Sequence, residues 1–119
     1  MSLEAFIDVV KGVLSIENVR LIGDPSTKVR KVAVLGGDGN KFINEAKRSG
    51  ADVLITGDIY YHTGHDLLSI GLPTIDAGHN IEKVMKSYLK TKFEEKAAEA
   101  AYDVKLMVSE KNTDPFTYL

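Results

Sequence analysis

Three short strand-like runs constrain this chain more than any other feature. The apolar Val32-Ala33-Val34-Leu35 and Val53-Leu54-Ile55 and the shorter Thr74-Ile75 are each ended within two residues by glycine or aspartate, and each is followed by a stretch of helical periodicity. A run apolar at consecutive positions suits a strand covered on both faces. Strands alternating with helices predict an α/β fold, a mostly parallel sheet with helices packed on its faces. The flanking segments extend the pattern. Leu3, Phe6, Ile7, Val10 and Leu14 recur at three and four, which predicts a helix over Leu3–Leu14. Val19–Ile22 predicts a short strand, and Gly23-Asp24-Pro25-Ser26 a turn. The next strand is read over Val29–Leu35 and broken at Gly36-Gly37-Asp38-Gly39. Helices are expected over Asn40–Ser49, with Phe42, Ile43 and Ala46 inward and Gly50 as the stop, and over Tyr60–Ile70, closed by Gly71. A long helix is expected over His79–Ala101, striped by Ile81, Val84, Met85, Tyr88, Leu89 and Phe93. Val104–Val108 predicts the last strand, giving the order α-β-β-α-β-α-β-α-β in one domain, 1–119.

Composition narrows the function. Lys plus Arg is 15 and Asp plus Glu is 17, a formal charge of −2, so nucleic acid is not the expected partner. Apolar runs reach only about five residues against the roughly 20 of a membrane span, so no membrane partner is expected. Cysteine is absent, which removes thiolate chemistry and fits a cytoplasmic location. No serine stands in a nucleophile motif. The remaining hydrolytic chemistry is metal-activated water.

The polar residues gather at three strand ends: Gly36–Asn40, Thr56–His62 and Asp76–Glu82. Ligands of parallel α/β sheets bind outside the carboxyl ends of the strands. Gly36, Gly37, Asp38 and Gly39 can cradle an anion at a helix start or simply form a tight turn. His79 and Glu82 stand at i and i+3. An imidazole and a carboxylate suit zinc, manganese or iron, though Glu82 can equally complement a helix dipole. Asp58, His62 and Asp66 are spaced by four and form a polar face if the helix starts near Asp58. A metal or general-base role is open to them, as are an N-cap for Asp58 and packing for His62. His65, Tyr60 and Tyr61 read as packing or interface residues.

These strings resemble the Nif-three-like proteins, also called GTP cyclohydrolase 1 type 2 homologues. The matching segments are Val32–Gly39, Gly50–His62, Asp76-Ala77-Gly78-His79 and Thr113-Asp114-Pro115-Phe116. The resemblance covers the chain from about Leu3 to Leu119 and matches the C-terminal portion of a longer, two-part protein. It implies a Nif-three-like α/β fold and a two-metal site built from both halves. The N-terminal half brings a His-His pair, in a His-His-Pro motif, and an Asp. The C-terminal half brings the His after Asp-x-Gly and a Glu downstream, here His79 and Glu82. The glutamate follows at three residues here and at four in many members. No His-His-Pro occurs in this chain, so one copy is not expected to complete the site, and its own metal binding is expected to be weak or absent. The resemblance also implies a homo-oligomer, a hexameric ring in intact members, and either of two roles. One is a metal-dependent hydrolase acting on a nucleotide, with Asp58 or His62 orienting water and Gly36–Gly39 receiving phosphate. The other is a non-catalytic oligomerisation or protein-interaction domain.

Overall fold

The computed structural model describes residues 1–118. The chain divides into two compact units, Met1–Ile81 and the segment from Glu82 onward. The first unit opens with α1 (Leu3–Leu14), capped by the Ser2 hydroxyl, which accepts from the Ala5 N–H. Four strands follow, β1 (Arg20–Ile22), β2 (Val32–Asp38), β3 (Val53–Gly57) and β4 (Thr74–Asp76), with α2 (Ile43–Arg48) after β2 and α3 (Tyr61–Ile70) after β3. They form one sheet in the order β1-β4-β3-β2. β2 pairs parallel with β3 and β3 parallel with β4, while β1 pairs antiparallel with β4. The sheet is therefore mixed: the parallel β-α-β units form its body and the antiparallel β1 its edge.

β3 is buried along its whole length because both faces of the sheet are covered. Its side chains alternate between the faces. Val53 and Ile55 join Leu3, Val10 and Ile75 in the core under α1. Leu54 joins Ile43, Ala46, Leu67 and Leu72 in the core under α2 and α3. Gly50 and Gly71 take positive φ after α2 and α3, where helix stops were expected.

The strand β2 departs from expectation at its end. It runs through Gly36 and Gly37 to Asp38 rather than breaking at Gly36. Its register on β3 shifts between Val34 and Asp38, and Gly37 has φ 69°. Glycine permits this irregularity, and the Thr56 hydroxyl stabilises it by donating to the Gly37 carbonyl (3.1 Å). The helix expected from Asn40 begins instead as a 3-10 turn, Asn40–Phe42, which leaves Phe42 exposed rather than inward. Gly64 lies inside α3, where an added Cβ would meet only Ile22 Cγ1, at 4.0 Å. Gly64→Ala should therefore stabilise the fold by about 0.5–1 kcal/mol, by removing backbone freedom from the unfolded chain; a higher urea midpoint at unchanged slope checks it.

A 3-10 helix, His79–Val84, leads into the second unit, whose helix is α4 (Met85–Glu99). One continuous helix over His79–Ala101 was expected; the observed segment changes helix type at Met85. The helix ends with Ala101 at φ 54° and the Tyr102 N–H donating to the Ala97 carbonyl (2.9 Å). Of the expected stripe, Met85, Tyr88 and Phe93 are exposed. Val104–Val108 is not a strand. Among the described residues no ladder pairs it, and a strand without a partner has no use for its backbone N–H and C=O groups. Val104 and Met107 are exposed. Lys86 Nζ donates to the Ser109 carbonyl (2.8 Å), which ties this irregular segment to α4.

Candidate functional site

The parallel strands bring their carboxyl ends to one edge of the first unit, and a single buried carboxylate organises it. Asp76, the last residue of β4, is 3% exposed. Its Oδ1 accepts from the Asp58 N–H (3.1 Å) and the Gly78 N–H (3.0 Å). Its Oδ2 accepts from the Ile59 N–H (2.9 Å) and from Arg20 Nη2 on β1. Arg20 also donates to the Ile59 carbonyl (3.0 Å). A buried carboxylate is tolerated when its lone pairs are taken by donors in this way.

Asp58 follows β3 with φ 56°, in the left-handed region that costs a residue with a Cβ about 1 kcal/mol or more. This conformation keeps Asp58 off α3, which starts at Tyr61 without a side-chain cap. The polar face of Asp58, His62 and Asp66 on one helix, expected if the helix began near Asp58, is therefore not formed, and Asp58 is not the N-cap. Its carboxylate instead meets the histidine of the next strand end: Asp58 Oδ2 lies 2.6 Å from His79 Nδ1. Both side chains are about half exposed. The Asp58 carbonyl accepts from Asn40 Nδ2 (2.8 Å).

Asn40 joins the turn after β2 to the turn after β3. Its Oδ1 accepts from the Tyr60 N–H (2.9 Å), and its backbone N–H (2.9 Å) and Nδ2 both donate to Asp38 Oδ1. Tyr60 donates its phenol proton to Asp38 Oδ2 (2.7 Å). The Asn40 amide, reinforced by the Tyr60 phenol, holds the Asp38 carboxyl below the usual carboxylate range; the same hydrogen bond pushes the Tyr60 phenol up. Gly39 packs so closely on Thr56 that a Cβ there would stand 2.3 Å from its hydroxyl. The Asn40 N–H, a donor that an anion at this turn would use, is thus satisfied by the Asp38 side chain.

His62 is exposed on the first turn of α3, edge-to-face with the Tyr61 ring at 5.5 Å, and Tyr61 in turn meets His65 at 4.9 Å. The structure therefore brings Asp58 to His79 and places His62 and His65 around Tyr61. Glu82 is exposed in the second unit. Among the described residues, no three His, Asp or Glu side chains gather as a group able to hold a metal ion. The donors present fit a share of a metal centre. His79 offers imidazole nitrogen, its other nitrogen being engaged by a carboxylate, as in many histidine-ligated metals.

Sequence reasoning located the three loops but missed Asp76 as the acceptor that joins the second loop to the third, along with the contacts of Arg20 and Asn40. The Asp76-x-Gly78 spacing carries a local signal, an Asx turn in which the Asp side chain accepts from the N–H two residues on. Asp38-x-Asn40 carries the same local signal, but the reach of Asn40 to Asp58, 18 residues away, and of Arg20 to Ile59, 39 residues away, has none.

The comparisons agree with this architecture. A GTP cyclohydrolase 1 type 2 homolog of Listeria monocytogenes is 64% identical over 118 residues, covering 99% of this chain and 32% of the relative. A crystal structure of a Bacillus cereus protein related to NIF3 superposes with TM-score 0.95 at 48% identity, covering 100% of this chain and 33% of that one. A Staphylococcus aureus protein superposes with TM-score 0.95 at 37% identity, covering 100% of this chain and 39% of its own. The chain thus spans about a third of the length of the curated relatives it matches. No helix in the described residues is long and apolar enough to cross a membrane. The Duf34/NIF3 (NGG1p interacting factor 3) family model matches residues 1–115, and the chain belongs to that family.

Proposed function

We propose that this chain supplies two ligands, His79 and Glu82, to a two-metal centre of a cytoplasmic, homo-oligomeric protein that hydrolyses a nucleotide. The remaining ligands, a His-His pair and an Asp, come from sequence that this chain lacks. The observation that carries the reading is the 2.6 Å contact between Asp58 and His79 at the carboxyl ends of β3 and β4. A carboxylate on one imidazole nitrogen makes the other a better metal donor. When bound, divalent zinc, manganese or iron ions would acidify water and polarise an electrophilic carbon. In this reading Asp58 or His62 orients water. Gly36, Gly37, Asp38 and Gly39 are the phosphate-facing segment of the proposal, and the charge on Asp38 means that a phosphate approaches it through a cation. The assembly proposed is a hexameric ring.

His79→Ala in the intact protein should lower bound metal, measured by elemental analysis after dialysis, to half of the wild-type content or less. Unchanged metal content would overturn the reading.

The second reading is a non-catalytic oligomerisation or interaction domain. Its support is the exposure of Met85, Tyr88 and Phe93 on α4 and of Tyr61 on α3, methionine and aromatic side chains of the kind enriched at interfaces. Light scattering beside metal analysis separates the two: a metal-free oligomer favours the second.

A further inference from the structure

We propose that Asp58 is the positioning residue for His79: its carboxylate holds the ring with the proton on Nδ1 and so makes Nε2 the nitrogen that donates to a metal ion. The inference rests on the reading of His79 as a ligand, and adds a residue that sets which nitrogen is used.

The chemistry follows from the contact. An ionised carboxylate accepts and cannot donate, so the hydrogen at the 2.6 Å contact belongs to Nδ1. In a neutral imidazole the electron pair then lies on Nε2. The backbone shows that this contact is braced from both sides. Asp58 is held by its own N–H on Asp76 Oδ1 (3.1 Å) and its carbonyl under Asn40 Nδ2 (2.8 Å). The turn that leads to His79 is held by the Gly78 N–H on the same Asp76 oxygen (3.0 Å). One buried carboxylate thereby references both loops to each other, so the aspartate and the imidazole meet without either being free to drift. The conformation of Asp58 points the same way. Its φ of 56° is one that glycine adopts without cost. An aspartate here accepts strain that glycine would avoid, and its side chain is used in the contact with His79.

Asp58→Gly removes the carboxylate and suits the backbone, so the variant is expected to fold. Nitrogen NMR of the metal-free, 15N-histidine-labelled protein, with the His79 signals identified by their loss in His79→Ala, reads the tautomer directly. At a pH where the ring is neutral, the wild type should show Nδ1 protonated and Nε2 unprotonated; Asp58→Gly should show a mixture. An unchanged tautomer in Asp58→Gly would overturn the proposal. Zinc titration of the intact protein forms the second arm, in which Asp58→Gly should weaken the Kd about 10–100-fold. If His79→Ala leaves zinc binding intact, the metal reading fails, while the NMR arm still decides whether Asp58 sets the ring.

Discussion

Asp76→Ala should destabilise the protein by about 3–5 kcal/mol, because several backbone donors lose one shared acceptor at once. The size of the effect comes from what is left behind. Three backbone N–H groups, of Asp58, Ile59 and Gly78, lose their acceptor together. A buried donor without a partner costs about 1–3 kcal/mol, and here the three losses are coupled, so their costs will not simply add. The ion pair with Arg20 contributes the smaller share. The Arg20 side chain is 69% exposed, and pairs involving an exposed partner are worth about 0–1 kcal/mol. Arg20→Ala should accordingly cost far less than Asp76→Ala. Urea unfolding of both variants checks this: with a slope of about 1–3 kcal/mol per molar, the Asp76→Ala midpoint should fall by at least about 1 M. Equal losses in the two variants would show that the ion pair, not the backbone donors, is what Asp76 serves.

That division also explains how much of the molecule could be read before its structure. The body of the sheet was legible because β3 is apolar at consecutive positions and is flanked by helices that end in glycine. Gly50 and Gly71 sit at positive φ where the chain must turn, and no other residue type adopts that conformation as cheaply. The end of β2 was not legible. The glycines there look like a break, and only the Thr56 hydroxyl, 19 residues on, shows that the strand continues through them. Val104–Val108 failed for a related reason: a strand-like composition becomes a strand only where an edge is available to pair with it. The α4 stripe has helical spacing, yet Met85, Tyr88 and Phe93 are exposed, so periodicity established the helix without establishing its burial. At the candidate site, sequence placed the three polar loops at strand ends, and parallel pairing brought those ends together. It could not say which side chains would meet. Asp58 was grouped with His62 by a helical spacing of four, and the left-handed turn at Asp58 broke that grouping and directed the carboxylate to His79.

The second large effect is expected at Gly57, the last residue of β3, which does not occupy the left-handed region. Gly57→Ala should cost about 3 kcal/mol, the upper part of the range for overpacking a close-packed interior. A Cβ built there would stand 2.8 Å from the Gly78 carbonyl carbon and oxygen and 3.0 Å from the His79 nitrogen. These are backbone atoms, so no rotamer change can relieve the clash. The Gly78 loop cannot retreat freely either, since its N–H is held by Asp76. Relief requires β3 and β4 to separate at their carboxyl ends or the Gly78-His79 turn to shift, and the second route pulls His79 from Asp58. The added methyl is therefore expected to lower the urea midpoint and to mix the His79 tautomers together, although it removes no polar group. Gly64→Ala is the matching control, the same chemical change at a site with room for it. If Gly57→Ala unfolds like the wild type and keeps the His79 signals unchanged, the close approach of the two loops is not what sets the site.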